Sequence, residues 1–352
     1  MKEFWSKRIR DITPYTPGEQ PKDRQFIKLN TNECPYPPST KVQAAIQEAA
    51  NDRLRLYPDP ECSELRSAIA KREGLKPEQV FCGNGSDEIL AFAFQAFFDP
   101  DKDVVFPRIT YSFYPVYTDF FGLNRREVPM NPDFSDPIGL LCGNNGGVVL
   151  ANPNAPTGIA VGLDVVEKIL RANPDVVVIV DEAYIDFGAH SAVGLIGKYP
   201  NLLVVQTASK SRALAGLRVG WAMGNENLTA ALRCVRDSVN SYTLDRLAQA
   251  GAKAAIEDEE YFQTIRKQVM DTRMWTERAL GSKGFTVLPS QANFVFASHL
   301  ARTGRELLAG LRQRGILVRW WDRPEIENWL RVSIGTQEEM EALVQALDEL
   351  IS

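Results

Sequence analysis

Histidine is nearly missing from this chain, with two residues, His190 and His299, in 352. Cysteine is sparse and odd in number, at Cys34, Cys62, Cys82, Cys142 and Cys234, and no C-x-x-C pair occurs. These shortages argue against a zinc site and against a disulfide framework, and they fit a reducing cytoplasm. An excess of one charge is lacking as well. The 40 basic and 45 acidic residues leave a net charge of −5, so the basic face that nucleic acid requires is not expected. No apolar run approaches the ~18–20 residues of a membrane span. The opening stretch "MKEFWSKRIRDITPYTPGEQPKDR" has no apolar core of the secretory type, so a protein that is not exported is expected. Repeats and low-complexity tracts are missing too. With 44% hydrophobic and 24% charged residues, the composition is that of an ordinary globular protein, and its length allows one to three domains.

What the chain does have is alternation. Strand-like runs are "DVVFP" (103–107), "GVVLAN" (147–152), "DVVVIVDEAY" (175–184) and "NLLVVQTA" (201–208). Helix-like stretches such as "SDEILAFAFQAFF" (86–98) and "LDVVEKILRANP" (163–174) lie between several of them. Continuous Val and Ile runs mark strands buried on both faces, and their alternation with helices marks a mostly parallel sheet. Past about residue 225 the texture changes. A long amphipathic helix spans 258–284, closed by Gly281 or Gly284. Short strand-like runs follow, "FTVLP", "NFVFA", "ILVRW" and "WLRVSIG", and Thr336 with Glu339 forms a capping box for a last helix. The expected fold class is therefore α/β. A large domain with a mostly parallel central sheet flanked by helices would span 36–255, and a smaller α+β domain 256–352. Residues 1–35, polar and proline-rich, read as an arm without a core of its own, packing on the small domain or on a partner.

Ligands of open α/β sheets bind beyond the carboxyl ends of the strands. "VVVIV" runs into Asp181, with Tyr184 three residues on, and "LLVVQTAS" runs into Lys210. If these strands are neighbours, a carboxylate, a phenol and an amine share one cleft. Taken singly, Asp181 is a helix cap or a surface carboxylate, Lys210 a solvated lysine and Tyr111 core packing; the combination carries the chemistry. Pyridoxal phosphate asks for this set. Its aldehyde needs a lysine, and its pyridine nitrogen needs a carboxylate so that the ring can accept electrons. Its 3′ oxygen needs donors, and its phosphate needs backbone N–H groups at a helix start, hydroxyls and an arginine. "CGNGSDEILAF" (82–92) puts Gly83, Gly85, Ser86 and Asp87 at the opening of an apolar-faced helix, although alone such a motif is only a turn and a cap. Thr207 and Ser209 flank Lys210, and Arg218 follows in "GLRVG". Tyr111 in "PRITYSFYPVY" offers a face for the ring.

Motifs along nearly the whole chain extend this pattern: "PYTPGE" (14–19), "KLNTNECPYPPS" (28–39), "LYPDP" (56–60), "GNGSDE" (83–88), "NPNAPTG" (152–158), "DEAYIDF" (181–187), "SKSRALAGLRVG" (209–220) and "WLRVSIGTQEE" (329–339). Jointly they resemble the fold-type-I pyridoxal-phosphate aminotransferases, and within them the histidinol-phosphate aminotransferase group. The resemblance implies a homodimer that transfers the amino group of L-histidinol phosphate to 2-oxoglutarate in histidine biosynthesis. It implies Lys210 as the residue that binds the aldehyde and shuttles the proton, Asp181 as the partner of the ring nitrogen, and Tyr184 as the donor to the 3′ oxygen. Tyr111 would stack on the ring, and Gly85, Ser86, Asp87, Thr207, Ser209 and Arg218 would surround the phosphate. Tyr57 would reach the neighbouring subunit's cofactor, while Tyr15, Asn32, Arg319 and Arg331 would contact substrate. Three positions depart from the family pattern. Ala155 stands where asparagine is common, so that either Asn154 takes its place or Tyr184 acts alone; Cys34 gives "NECP" in place of "NENP"; and "SYTLDR" (241–246) replaces a "PYN" segment. The alternatives are an aminotransferase for aromatic or other amino acids and a threonine-phosphate decarboxylase. A cofactor-sensing regulator would call for a DNA-binding domain, for which the length leaves no room.

Overall fold

A computed structural model describes residues 4–351. Twelve strands occur among them: β1 (Ile27–Lys28), β2 (Val80–Asn84), β3 (Val104–Pro107), β4 (Arg125–Val128), β5 (Gly147–Ala151), β6 (Val178–Asp181), β7 (Leu202–Thr207), β8 (Val219–Gly224), β9 (Phe285–Val287), β10 (Phe294–His299), β11 (Ile316–Leu317) and β12 (Trp329–Ser333). Seven of these build the central sheet, in the order β2-β8-β7-β6-β5-β3-β4. Pairings from β4 to β7 are parallel, whereas β8 runs against both β7 and β2.

The apolar runs read from the sequence explain why this sheet is central. Side chains alternate between faces along a strand, and here both faces are covered. Val148, Leu150, Val178, Val180, Leu202 and Val204 belong to one core. Their chain neighbours Val149, Ile179, Leu203 and Val205 belong to the core on the opposite side, with Phe94, Phe106 and Tyr114. Each fully buried Val, Leu or Ile stabilises the fold by about 1.5–3 kcal/mol relative to exposure, so a polar residue within these strands carries a heavy penalty. Polar chemistry is displaced to the strand ends, where Asp181 closes β6 and Thr207 closes β7.

The small domain centres on the antiparallel sheet β12-β10-β9. The long helix Glu259–Ser282 packs on β9, and the helix Gln337–Ile351 opens with the expected capping box. There Thr336 N–H donates to Glu339 Oε2 at 2.8 Å and Glu339 N–H donates to Thr336 Oγ1 at 3.3 Å. The N-terminal arm is tied to this domain. β1 pairs in parallel with β11, and Leu29, only 1% exposed, lies in the small-domain core. The expected division at 255/256 falls inside the helix Arg246–Glu257, and the chain changes direction just after it, at Asp258. No helix among the described residues is long and apolar enough to cross a membrane.

Candidate active site

β6 and β7 are hydrogen-bonded neighbours, with Asp181 opposite Val205, so the strand ends proposed from sequence do open into one place. A cavity of about 310 Å³ lies there, between the sheet, the arm and the small domain. Asp181, Tyr184, Thr207, Ser209, Lys210, Arg218, Ser86, Asp87 and Tyr111 line it from the large domain. Tyr15, Asn32, Arg319 and Arg331 line it from the arm and the small domain.

Asp181 is 5% exposed. Its Oδ2 accepts from the Tyr114 hydroxyl at 2.7 Å and its Oδ1 from the Ala183 N–H at 3.2 Å. Burial pushes its carboxyl up to about 6, while these two hydrogen bonds pull it down. A carboxylate so buried is costly without a cationic partner, and a protonated pyridine nitrogen would supply one. Lys210 Nζ donates to the Thr31 carbonyl at 3.2 Å and lies 5.8 Å from the Tyr184 ring centroid. Burial first, and the Arg331 charge second, lower its pKa to about 8. The amine is thereby brought close to its neutral, nucleophilic form near neutral pH. Tyr184, 9% exposed, accepts at its hydroxyl from Asn32 Nδ2 at 3.0 Å.

The opposite wall is built around backbone. The 13-residue helix Gly85–Phe97 starts at the cavity edge without a side-chain cap, because the Asn84 amide is drawn away to the Thr243 carbonyl at 3.1 Å. Its first N–H groups and its dipole are therefore free for an anion. Gly85 has a φ of +78°, and a Cβ there would lie 2.6 Å from Arg218 Nη2. A Cβ on Gly220 would stand 2.6 Å from the backbone of Gly85 and Ser86. Arg218 itself has a φ of +56°, which costs a non-glycine residue of order 1–3 kcal/mol; the turn directs its guanidinium to Asp87 Oδ2 at 3.2 Å. Asp87 Oδ1 accepts from the Tyr111 hydroxyl at 2.7 Å. Thr207 Oγ1 and Ser209 Oγ are 2.9 Å apart, so two hydroxyls join the arginine and the helix start. This donor set fits pyridoxal phosphate: a cradle only glycine permits, a buried carboxylate without a cation, and an amine poised near neutrality.

Arg331 lies on β12. Its Nη2 donates to the Asn30 carbonyl at 3.0 Å, and its buried Nε has no partner among the described residues. Burial lowers its pKa from the ordinary value. Arg319 sits opposite it, joined by two backbone hydrogen bonds of 3.0 and 2.9 Å, and its Nη2 donates to the Thr16 carbonyl at 3.0 Å. Asn32 has a φ of +56°, a conformation asparagine tolerates better than most residues. Its N–H and Oδ1 both bond Ser333 Oγ, at 2.8 and 2.9 Å. The arm thus carries Tyr184's partner while fixed to β12.

Three expected residues do not line the cavity. Gly85 acts one layer behind it, as the space that Arg218 occupies. Asn154 requires a correction. Its Oδ1 accepts from Thr110 Oγ1 at 2.8 Å, and its Nδ2 donates to the Ile109 carbonyl at 2.9 Å and to Thr157 Oγ1 at 3.1 Å. With its amide saturated, it does not replace the asparagine missing at Ala155, which itself faces the cavity. Tyr57 is 78% exposed and stacks on Tyr242 at 4.5 Å, away from this chain's own cavity. Sequence reading missed Tyr114, Gln20 and Glu33. Tyr114 left no local signal: it lies in the helix Phe113–Phe121, whereas Tyr111 lies in the loop before that helix, and its hydroxyl meets Asp181 only through tertiary packing. Glu33 lines the cavity while its Oε1 accepts from Lys28 Nζ and its Oε2 from Thr31 Oγ1, each at 2.6 Å.

Comparison with known proteins gives a consistent picture. Residues 24–347 match the family described as aminotransferase class I and II. A histidinol-phosphate aminotransferase from Clostridium beijerinckii is 51% identical over 352 residues, covering 100% of this chain and 98% of that protein. Another, from Acinetobacter baumannii, is 51% identical over 349 residues, covering 98% and 97%. Among solved structures, the histidinol-phosphate aminotransferase from Sinorhizobium meliloti in complex with pyridoxal 5′-phosphate superimposes with a TM-score of 0.88 at 25% identity, covering 99% of this chain and 98% of that one.

Proposed function

The chain belongs to the class I and II aminotransferases, and from that premise we propose that it uses pyridoxal phosphate to transfer the amino group of L-histidinol phosphate to 2-oxoglutarate. The products are imidazole acetol phosphate and L-glutamate, a step of histidine biosynthesis in the cytoplasm. The observation that carries the reading is the pairing of a complete cofactor wall with two arginines, Arg319 and Arg331, that have no carboxylate partner among the described residues. The full-length identity of 51% to histidinol-phosphate aminotransferases supports the substrate.

Bound in the cavity, the cofactor would supply an electron sink for the pair left when the substrate Cα–H bond breaks. Asp181 would hold the ring nitrogen protonated, and Tyr184, oriented by Asn32, would donate to the 3′ oxygen. Ser86, Thr207, Ser209, Arg218 and the free N–H groups at the Gly85 helix would grip the phosphate, with Asp87 orienting Arg218 and Tyr111. Lys210 Nζ would bind the aldehyde carbon at rest and, once released, move a proton between the substrate Cα and the cofactor C4′. Arg331 would grip the carboxylate of glutamate and the phosphate of histidinol phosphate in turn, since a planar guanidinium suits either anion. Arg319 and Tyr15 would favour the phosphate.

The active form would be a homodimer in which Tyr57 reaches the partner's cofactor. Supporting this, Tyr57 lies in a cluster of exposed apolar side chains with Leu54, Leu56 and Tyr242. Mixing inactive Lys210→Ala chains with inactive Tyr57→Ala chains should restore part of the activity, because a mixed dimer holds one site free of both lesions. Unrestored activity despite subunit exchange would place both residues in one chain's site. The substrate is tested by glutamate formation from 2-oxoglutarate with histidinol phosphate, threonine phosphate or phenylalanine as donor. Histidinol phosphate should be the best donor; activity on phenylalanine with none on histidinol phosphate would overturn the reading.

A further inference from the structure

Two tryptophans stand side by side after Arg319, and they do different things. Trp320 is a latch, with its indole N–H donating to the Glu327 carbonyl at 2.7 Å and Arg305 stacked over it at 4.8 Å. Trp321 makes contact with both arginines of the site. Arg319 Cζ lies 5.5 Å and Arg331 Cζ 5.3 Å from its ring centroid, both within the range in which a ring face attracts a cation. Behind it, Trp321 is wedged against the small core of Ile109, Phe296 and Ile326. Phe296 is also the register partner of Arg331 across β10 and β12, so the ring and the arginine are referenced to the same strand pair.

The two guanidiniums are an unusual pair. They sit opposite each other in adjacent backbone positions, and after burial the nearby Arg319 charge is one of the causes that lower the pKa of Arg331. Their side-chain hydrogen bonds go only to neutral arm carbonyls, Thr16 and Asn30, among the described residues. A carboxylate between them would relieve the repulsion, but it would also take up the N–H forks that an incoming anion needs. An indole face relieves it differently: its quadrupole is negative toward a cation, yet it offers no acceptor atom to occupy the donors.

We infer that Trp321 is a positioning residue for the anion end of the site, holding Arg319 and Arg331 as a ready pair of uncompensated cations for a phosphate dianion. The inference rests on the reading that the substrate carries a phosphate, and it extends that reading to the residue that keeps the arginines in place. Trp321 does not itself line the cavity, so it acts through the arginines.

The test compares holoenzymes carrying Trp321→Leu, which keeps an apolar side chain but removes the ring, and Trp321→Phe, which keeps a ring. KM and kcat are measured with histidinol phosphate, and inorganic phosphate is titrated as a competitor of glutamate. The Leu variant should raise both the KM and the phosphate inhibition constant roughly 3–10-fold, with kcat nearly unchanged, and the Phe variant should recover most of the loss. Unchanged constants in the Leu variant would overturn the inference. So would equal losses in Leu and Phe, which would assign Trp321 to packing against Ile109, Phe296 and Ile326. If thermal melts show the Leu variant unfolded, Trp321→Met provides a ring-free side chain of greater length for the same comparison. Should wild-type protein fail to use histidinol phosphate, the substrate reading falls, and the inorganic-phosphate titration still decides the role of Trp321.

Discussion

The two halves of the cavity are assembled by opposite rules. On the sheet side, charged and polar groups are matched to one another before any ligand arrives: Tyr114 with Asp181, Tyr111 and Arg218 with Asp87, Thr207 with Ser209. All of them come from the large domain, at the ends of strands, in the loop after β3 and at two helix starts. On the arm side, Arg319 and Arg331 face the cavity without an anion, steadied by backbone carbonyls and an indole ring. The matched half suits a group that stays. The unmatched half suits anions that must enter and leave, because an internal carboxylate would compete with every substrate.

Breaking the matched half should do the most damage. Lys210→Ala should lose turnover by roughly 10³–10⁴-fold or more, since it removes the proton-transfer group, and borohydride reduction of wild-type holoenzyme followed by peptide mapping should find the pyridoxyl group on Lys210. An adduct on another lysine would refute the assignment. Asp181→Asn comes next. Leaving a buried cation without its charge partner costs about 2–5 kcal/mol, or roughly 30- to several-thousand-fold in rate; a variant within a few-fold of wild type would contradict the role. In the unmatched half, Arg331→Ala should impair the glutamate and histidinol-phosphate half-reactions alike, toward the lower end of that range of about 2–5 kcal/mol. A loss confined to one substrate would mean that the two anions do not share Arg331.

A smaller effect links the halves through pH. Burial and the Arg331 charge hold Lys210 near 8, below its ordinary value of 10.5. Below about 8 the folded protein carries the ammonium, which cannot attack an aldehyde. Capture of pyridoxal phosphate by the apoprotein, followed by absorbance, should therefore rise with pH through about 8 and not through 10.5. Between those two values the unfolded chain binds a proton that the folded chain does not, so this group's contribution to stability rises with pH across the window and is lost as pH falls through about 8. Arg331→Ala should move the midpoint upward, since one of the two charges that lower it disappears; an unmoved midpoint would leave burial and the Arg218 charge as the causes.

The matched half was the legible one. Val and Ile runs buried on both faces announce β5, β6 and β7, and a polar residue at the end of such a run stands out as Asp181 and Lys210 do. The two edge strands and β8 were harder to read. β2 ends in Gly83 and Asn84, β4 reads Arg-Arg-Glu-Val, and β8 carries Gly220 within it and ends on Gly224, so none shows a long apolar run. The arm looked coreless because a two-residue strand, β1, and one leucine, Leu29, tie it to residues nearly 290 positions away in sequence; such pairing leaves no local signal. Asn154 was misread for a related reason. Its neighbours Pro153 and Ala155 do face the cavity, and the sequence gives no sign of which way a side chain turns in a loop whose partners, Thr110 and Ile109, come from another strand end. The arginine pair was recognised residue by residue, but its ring support at Trp321 depends on tertiary packing.

The contrast between the halves is tested most directly by Arg319→Ala, with each half-reaction followed separately by stopped flow. The rate with histidinol phosphate should fall by about 1–3 kcal/mol of barrier, while the rate with glutamate stays close to wild type. Equal losses for both substrates would contradict a phosphate role for Arg319 and with it the division of the unmatched half into a shared and a phosphate-reading arginine.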